Sequence, residues 1–382
     1  MPRGKNRLVA VLSSLELAIG CFILLMILVV ACTLAQVKLG THLAVEKYIR
    51  SFLVWWTPEG AGFRVPVFPG GGLVGAVLLA NLAVAQFLRL ERSWRKAGIW
   101  VIHLGLAILF IGEFATALFQ VESRIPIEEG STRDWSEDYR LMELAVADVT
   151  DPSFDDVRGI PDSRLGAGKE LTGAGLPFKL VVRAYHENAD LLTRRPSDPP
   201  SPATAGIGTG LFFHPAPPVT VDDAENTAAA LVEPVAPDGR SYGVFLLSNA
   251  LGAPQGFTHE GRTWRLSLRN RRYYLPFSLT LKDFRHDVYP GTDIPKNFSS
   301  LVVLDDPGTA EKRDVLISMN EPLRHGGRTF YQASFGKDDT LSVLQVVRNP
   351  GWTLPYLACL LVAAGLLWHF GAMLRRTIRS AA

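Results

Sequence analysis

Four runs of apolar residues dominate the pattern along the chain, three within the first 120 positions and one near the C-terminus. A helix that crosses the roughly 30 Å core of a bilayer needs about 20 mostly apolar residues. The predicted spans are residues 17–37, 71–88, 99–119 and 352–374. Four such runs in one chain favour a membrane protein over a soluble protein with buried helices.

The segment between the third and fourth spans, residues 120–351, has the short β-branched and aromatic stretches that are typical of strands. The turn formers Pro290-Gly291 and Gly326-Gly327 separate several of them. These stretches predict a large, mainly β domain of sandwich or barrel type. The predicted strands are residues 178–185, 242–247, 263–268, 277–284, 299–304, 314–319, 329–333 and 341–347. The proline-rich residues 194–218 predict a loop, either ordered by contacts or a flexible excursion.

Basic residues set the predicted orientation. They cluster in the N-terminal arm, in the connection 89–96 and in the tail after residue 374. Cytoplasmic segments carry an excess of lysine and arginine, so all three segments are expected in the cytoplasm. Residues 38–70 then form an outer loop and residues 120–351 an extracytoplasmic domain. The chain divides into a three-span region (1–119), this β domain (120–351), and a fourth span with a basic tail (352–382).

The expected location is therefore the cell (inner) membrane, with several passes through the lipid bilayer and both termini in the cytoplasm. A net charge of +2 without a basic stripe gives no indication of nucleic-acid binding. The first span has rival interpretations. A cleaved signal peptide is disfavoured because the apolar run is too long. Val29-Val30-Ala31-Cys32 resembles a lipoprotein cleavage box, which would remove the span and lipidate Cys32.

Motifs for independent catalysis are absent from the sequence. The three cysteines, Cys21, Cys32 and Cys359, all lie in predicted spans, so the outer domain has no CxxC pair, CxxCH site or disulfide framework. There is no Walker loop, GxSxG or HExxH sequence. Histidines of the outer domain lack metal-ligand spacing, and His325 is expected to be a turn residue. No hydrolase or transferase function is indicated.

His103 in the third span and His369 in the fourth are the candidate binding residues. Ionisable side chains within a span are costly and mark functional positions. The two helices run in opposite directions, which brings both histidines to a similar depth near the cytoplasmic ends. Neutral imidazole is an axial haem ligand, so we predict a cofactor site at His103 and His369, with His103 as the iron ligand. The alternative is a helix–helix hydrogen bond or a histidine at the membrane interface. Gly105 and Gly112 would admit a neighbouring helix or a flat cofactor.

Several sequence stretches together resemble the ResB-like family of cytochrome c biogenesis proteins, a component of the System II machinery. The resemblance covers nearly the whole chain and is strongest in the last third. It rests on Leu12-Ser13-Ser14-Leu15, Ile102-His103-Leu104-Gly105, Ile127-Glu128-Glu129-Gly130, Tyr289-Pro290-Gly291, Lys296-Asn297-Phe298-Ser299-Ser300, Ser318-Met319-Asn320-Glu321-Pro322-Leu323, Gly326-Gly327-Arg328-Thr329-Phe330-Tyr331-Gln332-Ala333-Ser334-Phe335 and Asn349-Pro350-Gly351.

This resemblance implies a subunit that works beside a CcsA-type (ResC-type) membrane partner. Together they would carry haem b (heme b), bound by this chain or shared between the two, across the membrane and present it to reduced apocytochrome c. His103 matches the family's transmembrane histidine, whereas the pairing with His369 is our own inference. A separate thiol–disulfide reductant is expected because the outer domain lacks cysteine. The chain is not expected to be catalytic alone, but to be a subunit of a cytochrome c synthase (haem lyase) complex. The alternatives are a scaffold that binds no haem and, less favoured, a receptor for a small ligand.

Overall fold

A computed structural model describes residues 7–58, 62–173, 175–195, 197–219, 225–292, 295–336 and 339–381. The chain separates into two compact units. One contains the helices and comprises the described residues up to Val121 and from Asn349 onward; the other, from Glu122 to Arg348, is built from strands. Four apolar helices and a large, mainly β unit were both predicted, and both are confirmed.

The helical unit contains one short and four long helices. Each long helix is long and apolar enough to cross a membrane, with mean hydropathy between 1.9 and 3.0 over its most apolar window. Three of them extend beyond the apolar runs that predicted them, and in the two longest extensions polar residues continue the helix. The helices are α1 (Arg7–Leu12), α2 (Leu15–Val45), α3 (Gly71–Leu88), α4 (Ala97–Phe119) and α5 (Leu354–Ala381).

Polar side chains form hydrogen bonds with backbone groups at the junction of α1 and α2 that apolar side chains would leave without a partner. Ser14 is the N-cap of α2 and accepts a hydrogen bond from the Leu17 amide at 3.1 Å. Asn81 of α3 donates to the carbonyl oxygens of Leu12 and Ser14, at 2.7 and 2.9 Å. The buried Asn81 therefore ties α3 to the junction of α1 and α2, since a buried amide needs partners.

The segment between α2 and α3 has structure of its own. α2 kinks at Gly40, which has a φ of 71°, and one π-helical turn follows at Glu46–Arg50. An antiparallel hairpin then forms from β1 (Leu53–Trp56) and β2 (Val65–Pro69). The glycines at the start of α3 pack against this segment, and a Cβ added at Gly71 would lie 2.4 Å from the Ile49 carbonyl oxygen. The predicted outer loop thus contains an ordered hairpin.

The β unit contains sixteen labelled strands among its described residues. One of them, β13, is long enough to serve two hydrophobic cores. The strands are β3 (Val121–Glu128), β4 (Thr132–Asp148), β5 (Asp156–Pro161), β6 (Glu170–Leu171), β7 (Lys179–His186), β8 (Ala189–Thr193), β9 (Leu211–Pro215), β10 (Ala229–Val235), β11 (Phe245–Ser248), β12 (Gln255–His259), β13 (Arg262–Val288), β14 (Pro295–Asp306), β15 (Glu311–Ser318), β16 (Leu323–His325), β17 (Arg328–Gly336) and β18 (Leu341–Arg348).

Most of these strands form one ten-stranded sheet with the order β15-β14-β13-β4-β3-β18-β17-β16, to which β5 and β12 add at β4 and β13. A second sheet has the order β11-β10-β7-β6, and β8 pairs with β9. The first half of β13 packs Trp264 and Leu266 into a core shared with the second sheet. Its second half packs Phe277 and Leu279 into a core with β14 and β17.

Each predicted strand overlaps an observed one, with two differences of substance. The predicted strands 263–268 and 277–284 are parts of the single strand β13. The pair β3 and β4 was not predicted, because charged residues fill the first half of β4. The proline-rich residues 194–218 are partly regular, since β9 within them pairs with β8 from Ala189 to Thr193.

Candidate functional site

Hydrogen bonds around His103 define which of its ring nitrogens donates. Its Nδ1 lies 2.7 Å from Oε1 of Gln86 on α3. The amide nitrogen of the same Gln86 donates to the Trp100 carbonyl oxygen at 3.2 Å. A carbonyl oxygen only accepts, so this second bond fixes which end of the Gln86 amide faces His103. Nδ1 of His103 therefore donates to Gln86, and in the neutral imidazole Nε2 keeps its lone pair.

His103 and Gln86 are the polar side chains in the lining of a cavity of about 350 Å³ between α3 and α4. Its size falls in the range of small-molecule sites, which are mostly apolar with a few placed polar groups. Among the described residues no partner is found for Nε2 of His103. The cavity is lined by Leu82, Ala83, Gln86, Phe87, Trp100, Val101, His103, Leu104 and Ala107. A neutral imidazole with a free Nε2 beside an apolar cavity is the form that binds iron.

The opposite face of α4 packs closely on α5. Gly98, Gly105 and Gly112 recur every seven residues and all are buried. A Cβ added at Gly98 would lie 2.6 Å from the Gly365 carbonyl oxygen, and one at Gly105 would lie 2.9 Å from that of Ala358. The predicted close approach of a helix to Gly105 and Gly112 is therefore observed, and α5 is that helix. His103 lies five residues after Gly98, roughly 140° around α4, so its side chain points away from α5.

His369 occupies a different place. It is on α5, where its backbone packs against Gly98, and its side chain lines a separate cavity of about 740 Å³ at the basic end of the unit. His103 does not line that cavity, and His369 does not line the smaller one. The structure thus gives each histidine its own surroundings rather than bringing the two rings to one position. Binding of a cofactor by either residue stays a prediction.

Gln86 and the Trp100 carbonyl are the parts of the site that sequence reasoning missed. Gln86 and Asn81 are the main polar residues of the apolar run 71–88, and no motif links Gln86 to His103, seventeen positions later. The signal that could have found Gln86 is its carboxamide side chain. A carboxamide in an apolar helix needs partners, and an ionisable residue in the next helix is a natural one.

Histidines of the β unit form hydrogen bonds with other side chains of that unit. His325 ends β16 directly before the Gly326-Gly327 turn, and its Nε2 lies 2.7 Å from Asp306. This hydrogen bond lowers the pKa of Asp306 from its ordinary value. His259 bonds the Tyr242 hydroxyl at 2.6 Å. Within the described part of the chain, no group of three or more metal-ligating side chains comes together.

Two residues of the sequence motifs in the last third, Ser300 and Gln332, belong to an internal polar network. Ser300 and Ser342 are fully buried, and their hydroxyls lie 2.7 Å apart. Gln332 of the F-Y-Q stretch accepts from Ser300 at 2.6 Å and donates to Ser342 at 3.2 Å. The network joins β14, β17 and β18, so these residues specify the register of the sheet.

Asn349 has a corresponding role in the helical unit. Its amide donates to Thr116 and Gln120 near the end of α4, at 3.1 and 3.2 Å, and its oxygen accepts from the Gly351 amide at 2.8 Å. The Asn349-Pro350-Gly351 stretch thereby fixes the start of α5 to the end of α4. This anchors one end of the glycine-mediated contact between the two helices.

Comparison with known proteins places the strongest similarity in the β unit. Residues 255–343 match the ResB-like family. Over 95 residues the chain is 39% identical to Protein NrfI of Wolinella succinogenes, an alignment that covers 25% of this chain and 10% of NrfI. Over 92 residues it is 35% identical to Cytochrome c biogenesis protein CcsB of Synechococcus elongatus, covering 24% of this chain and 19% of that protein.

The aligned segments are thus a small part of both relatives. The match begins at the first residue of β12 and ends inside β18, so it contains the whole of β13 and the Ser300–Gln332 network. The resemblance that the motifs predicted is therefore confirmed for residues 255–343, which match the ResB-like family, and the motifs before residue 255 and after residue 343 lie outside this match.

Proposed function

We propose that this protein is a membrane-embedded subunit of cytochrome c maturation, which helps carry haem across the membrane and presents it to reduced apocytochrome c. The observation that carries the proposal is the free Nε2 of His103 beside an apolar cavity, held there by Gln86. The ResB-like segment and the similarity to a cytochrome c biogenesis protein support the same role. The protein acts with a CcsA-type partner and is not catalytic alone.

The proposed arrangement has the four long helices in the bilayer, with the β unit outside and both termini in the cytoplasm. Hydropathy supports the spans, and the basic connection and tail support the orientation. The ends of α3 and α5 and the start of α4 then lie on the cytoplasmic side. His103, seven residues into α4 from Ala97, lies roughly 10 Å in from that end.

The residues around His103 suit haem as the transported group. Nε2 would offer a neutral nitrogen to the iron, and the hydrogen bond from Nδ1 to Gln86 restrains rotation of the ring. Apolar side chains such as Leu82, Phe87 and Leu104 would exclude water from the bound porphyrin. The haem would supply the reactive vinyl groups and the iron. The cavity is lined by residues of α3 and α4, whereas α5 packs on the glycine face of α4.

The β unit supplies no redox chemistry of its own, because it contains no cysteine. Thioether attachment needs reduced thiols on the apocytochrome, so a separate thiol–disulfide reductant is part of the proposal. The role left to the β unit is to hold the partner or the apocytochrome outside the membrane.

Cytochrome c formation in cells tests this function. The chain would be produced with a CcsA-type partner in a host without its own maturation system, and covalent haem in a reporter cytochrome c measured by haem staining. We expect His103→Ala to abolish staining at an unchanged level of the protein in the membrane. Ile111→Ala, at an exposed position of α4 outside the cavity lining, is the matched control and should retain it.

A scaffold that binds no haem is the alternative function. It predicts that His103→Ala matures the reporter as well as the unmodified chain does, and that the purified complex has no haem absorption dependent on His103. That pair of results would remove His103 from the mechanism.

A further inference from the structure

A second cavity in the helical unit has a composition that the proposed function does not use. It has a volume of about 740 Å³ and lies where the C-terminal part of α5 passes the turn before α4. We name it the basic cavity, after the residues that define it: Arg95, Trp368, His369, Arg375, Arg376 and Arg379.

Positive charge predominates in the basic cavity. Within the described part of the chain, none of its four arginines forms a hydrogen bond or ion pair with a carboxylate, and no acidic side chain lines it. Glu91, the acid of the connection before α4, forms an ion pair with Lys96 at 2.8 Å and also interacts electrostatically with Arg95. Four guanidinium groups without a carboxylate hydrogen bond around one cavity favour a ligand with two or more negative charges, since each group bonds a carboxylate or phosphate through a planar pair of donors.

Aromatic and imidazole groups form the rest of the cavity. The ring centroids of Trp94 and Trp368 lie 6.3 Å apart, and the Trp368 indole donates to the Trp94 carbonyl oxygen at 3.3 Å. That bond satisfies the indole nitrogen and leaves the ring faces for a ligand. A Cβ added at Gly371 would meet no atom within 4 Å, so the wall between Trp368 and Arg375 is open.

These groups follow one stripe of α5. Trp368, Arg375 and Arg379 are seven and four residues apart, which puts them on one face over roughly 17 Å of helix. Along that face the order is an indole and an imidazole deeper in the unit, then the arginines towards its end. A ligand that matches this order has a flat apolar body that carries a metal, and it has two acidic groups at one edge.

We propose that the basic cavity is a loading site for haem, separate from the site at His103. The arginines would bind the two propionates, the indoles would contact the porphyrin, and His369 would contact the iron. This inference rests on the proposed function and adds to it a place where haem is held before it reaches His103. It also gives His369 a role that does not require the two histidines to share one iron.

Haem titration of the purified full chain tests the proposal. The His103→Ala background removes the first site, and ferric haem is added while tryptophan fluorescence and the haem absorption band are recorded. We expect saturable quenching, and at least tenfold weaker binding when Arg375, Arg376 and Arg379 are all replaced by Gln. Arg89 and Arg92 are exposed basic residues outside the cavity. Replacing both by Gln is the control and should leave the affinity for haem unchanged.

Two further measurements identify the contacts. Haem dimethyl ester, which lacks the propionate charges, should bind at least tenfold more weakly than haem. His369→Ala should keep the quenching but shift the absorption band towards that of unligated haem. Equal binding by the triple Gln variant or by the ester would overturn the proposal. So would quenching by vesicles of anionic phospholipid and not by haem, which would identify a lipid headgroup site. Failure here leaves the His103 site intact, because that site is tested by a different variant.

Discussion

Gln86 provides the sharpest test of how the His103 site is built. In Gln86→Met the side chain keeps its length and loses both hydrogen bonds, the one to Nδ1 of His103 at 2.7 Å and the one to the Trp100 carbonyl at 3.2 Å. The imidazole is then free to rotate and to carry its proton on either nitrogen. Loss of such an orienting partner typically costs about 10–100-fold in metal affinity, or about 1.4–2.7 kcal/mol.

The assay is the rate at which haem leaves the purified chain for an excess of apomyoglobin, followed by absorption. We expect that rate to rise about 10–100-fold in Gln86→Met if association is unchanged. Gln86→Glu retains an acceptor for Nδ1 and should restore most of the retention. Leu82→Met is the matched control, because Leu82 lines the same cavity and the change nearly conserves volume without altering a hydrogen bond.

The reasoning would be refuted if Gln86→Met released haem at the rate of the unmodified chain while His103→Ala lost haem completely. That result would mean that His103 binds iron without its orienting partner. An equal loss in Leu82→Met would instead attribute the effect to packing of the cavity wall.

Three other predictions concern the fold. Gly98→Ala should lower the midpoint of thermal unfolding in detergent, because overpacking against α5 costs about 1–3 kcal/mol. Gly371→Ala is the control and should leave the midpoint unchanged, since its Cβ meets open space. Equal midpoints for the two variants would contradict the α4–α5 contact. The hydrogen bond from His325 lowers the pKa of Asp306, so the contribution of this carboxylate to stability is present above pH ~4 and is lost as the pH falls through its pKa in the folded state. In denaturant unfolding across pH 3–7, the free energy of unfolding of Asp306→Asn should therefore depend less on pH than that of the unmodified chain. An unchanged pH dependence would count against the pair. Gln332→Leu leaves buried hydroxyls without their amide partner, and a free energy of unfolding lower by about 1–3 kcal/mol is expected in the same measurement; a neutral result would make the network dispensable.

Much of the helical unit was predictable because membrane-length apolar runs need no knowledge of their neighbours. Hydropathy alone indicates the four long helices, and their bounds shift most where polar residues continue a helix, as after residue 37 in α2. The strands were harder. The first half of β4 alternates charged residues with Trp135 and Tyr139, which hides its period, and β13 continues through a polar middle that separates its two apolar halves.

The candidate site was predictable only in part, for a geometric reason. Sequence places a residue along a helix axis, and on that basis His103 and His369 reach a similar depth. Which way each side chain points depends on how the helices pack, and the glycine face of α4 turns His103 away from α5. The same packing brings Gln86 to His103, a contact that no spacing within one helix encodes.

The central proposal, haem ligation by His103, is tested most directly by the absorption spectrum of the full chain purified with the proposed CcsA-type partner. Ligation predicts a haem band in the unmodified complex that is lost in His103→Ala and retained in Ile111→Ala. A His103→Ala complex with the same haem content and the same band position as the unmodified complex would contradict it.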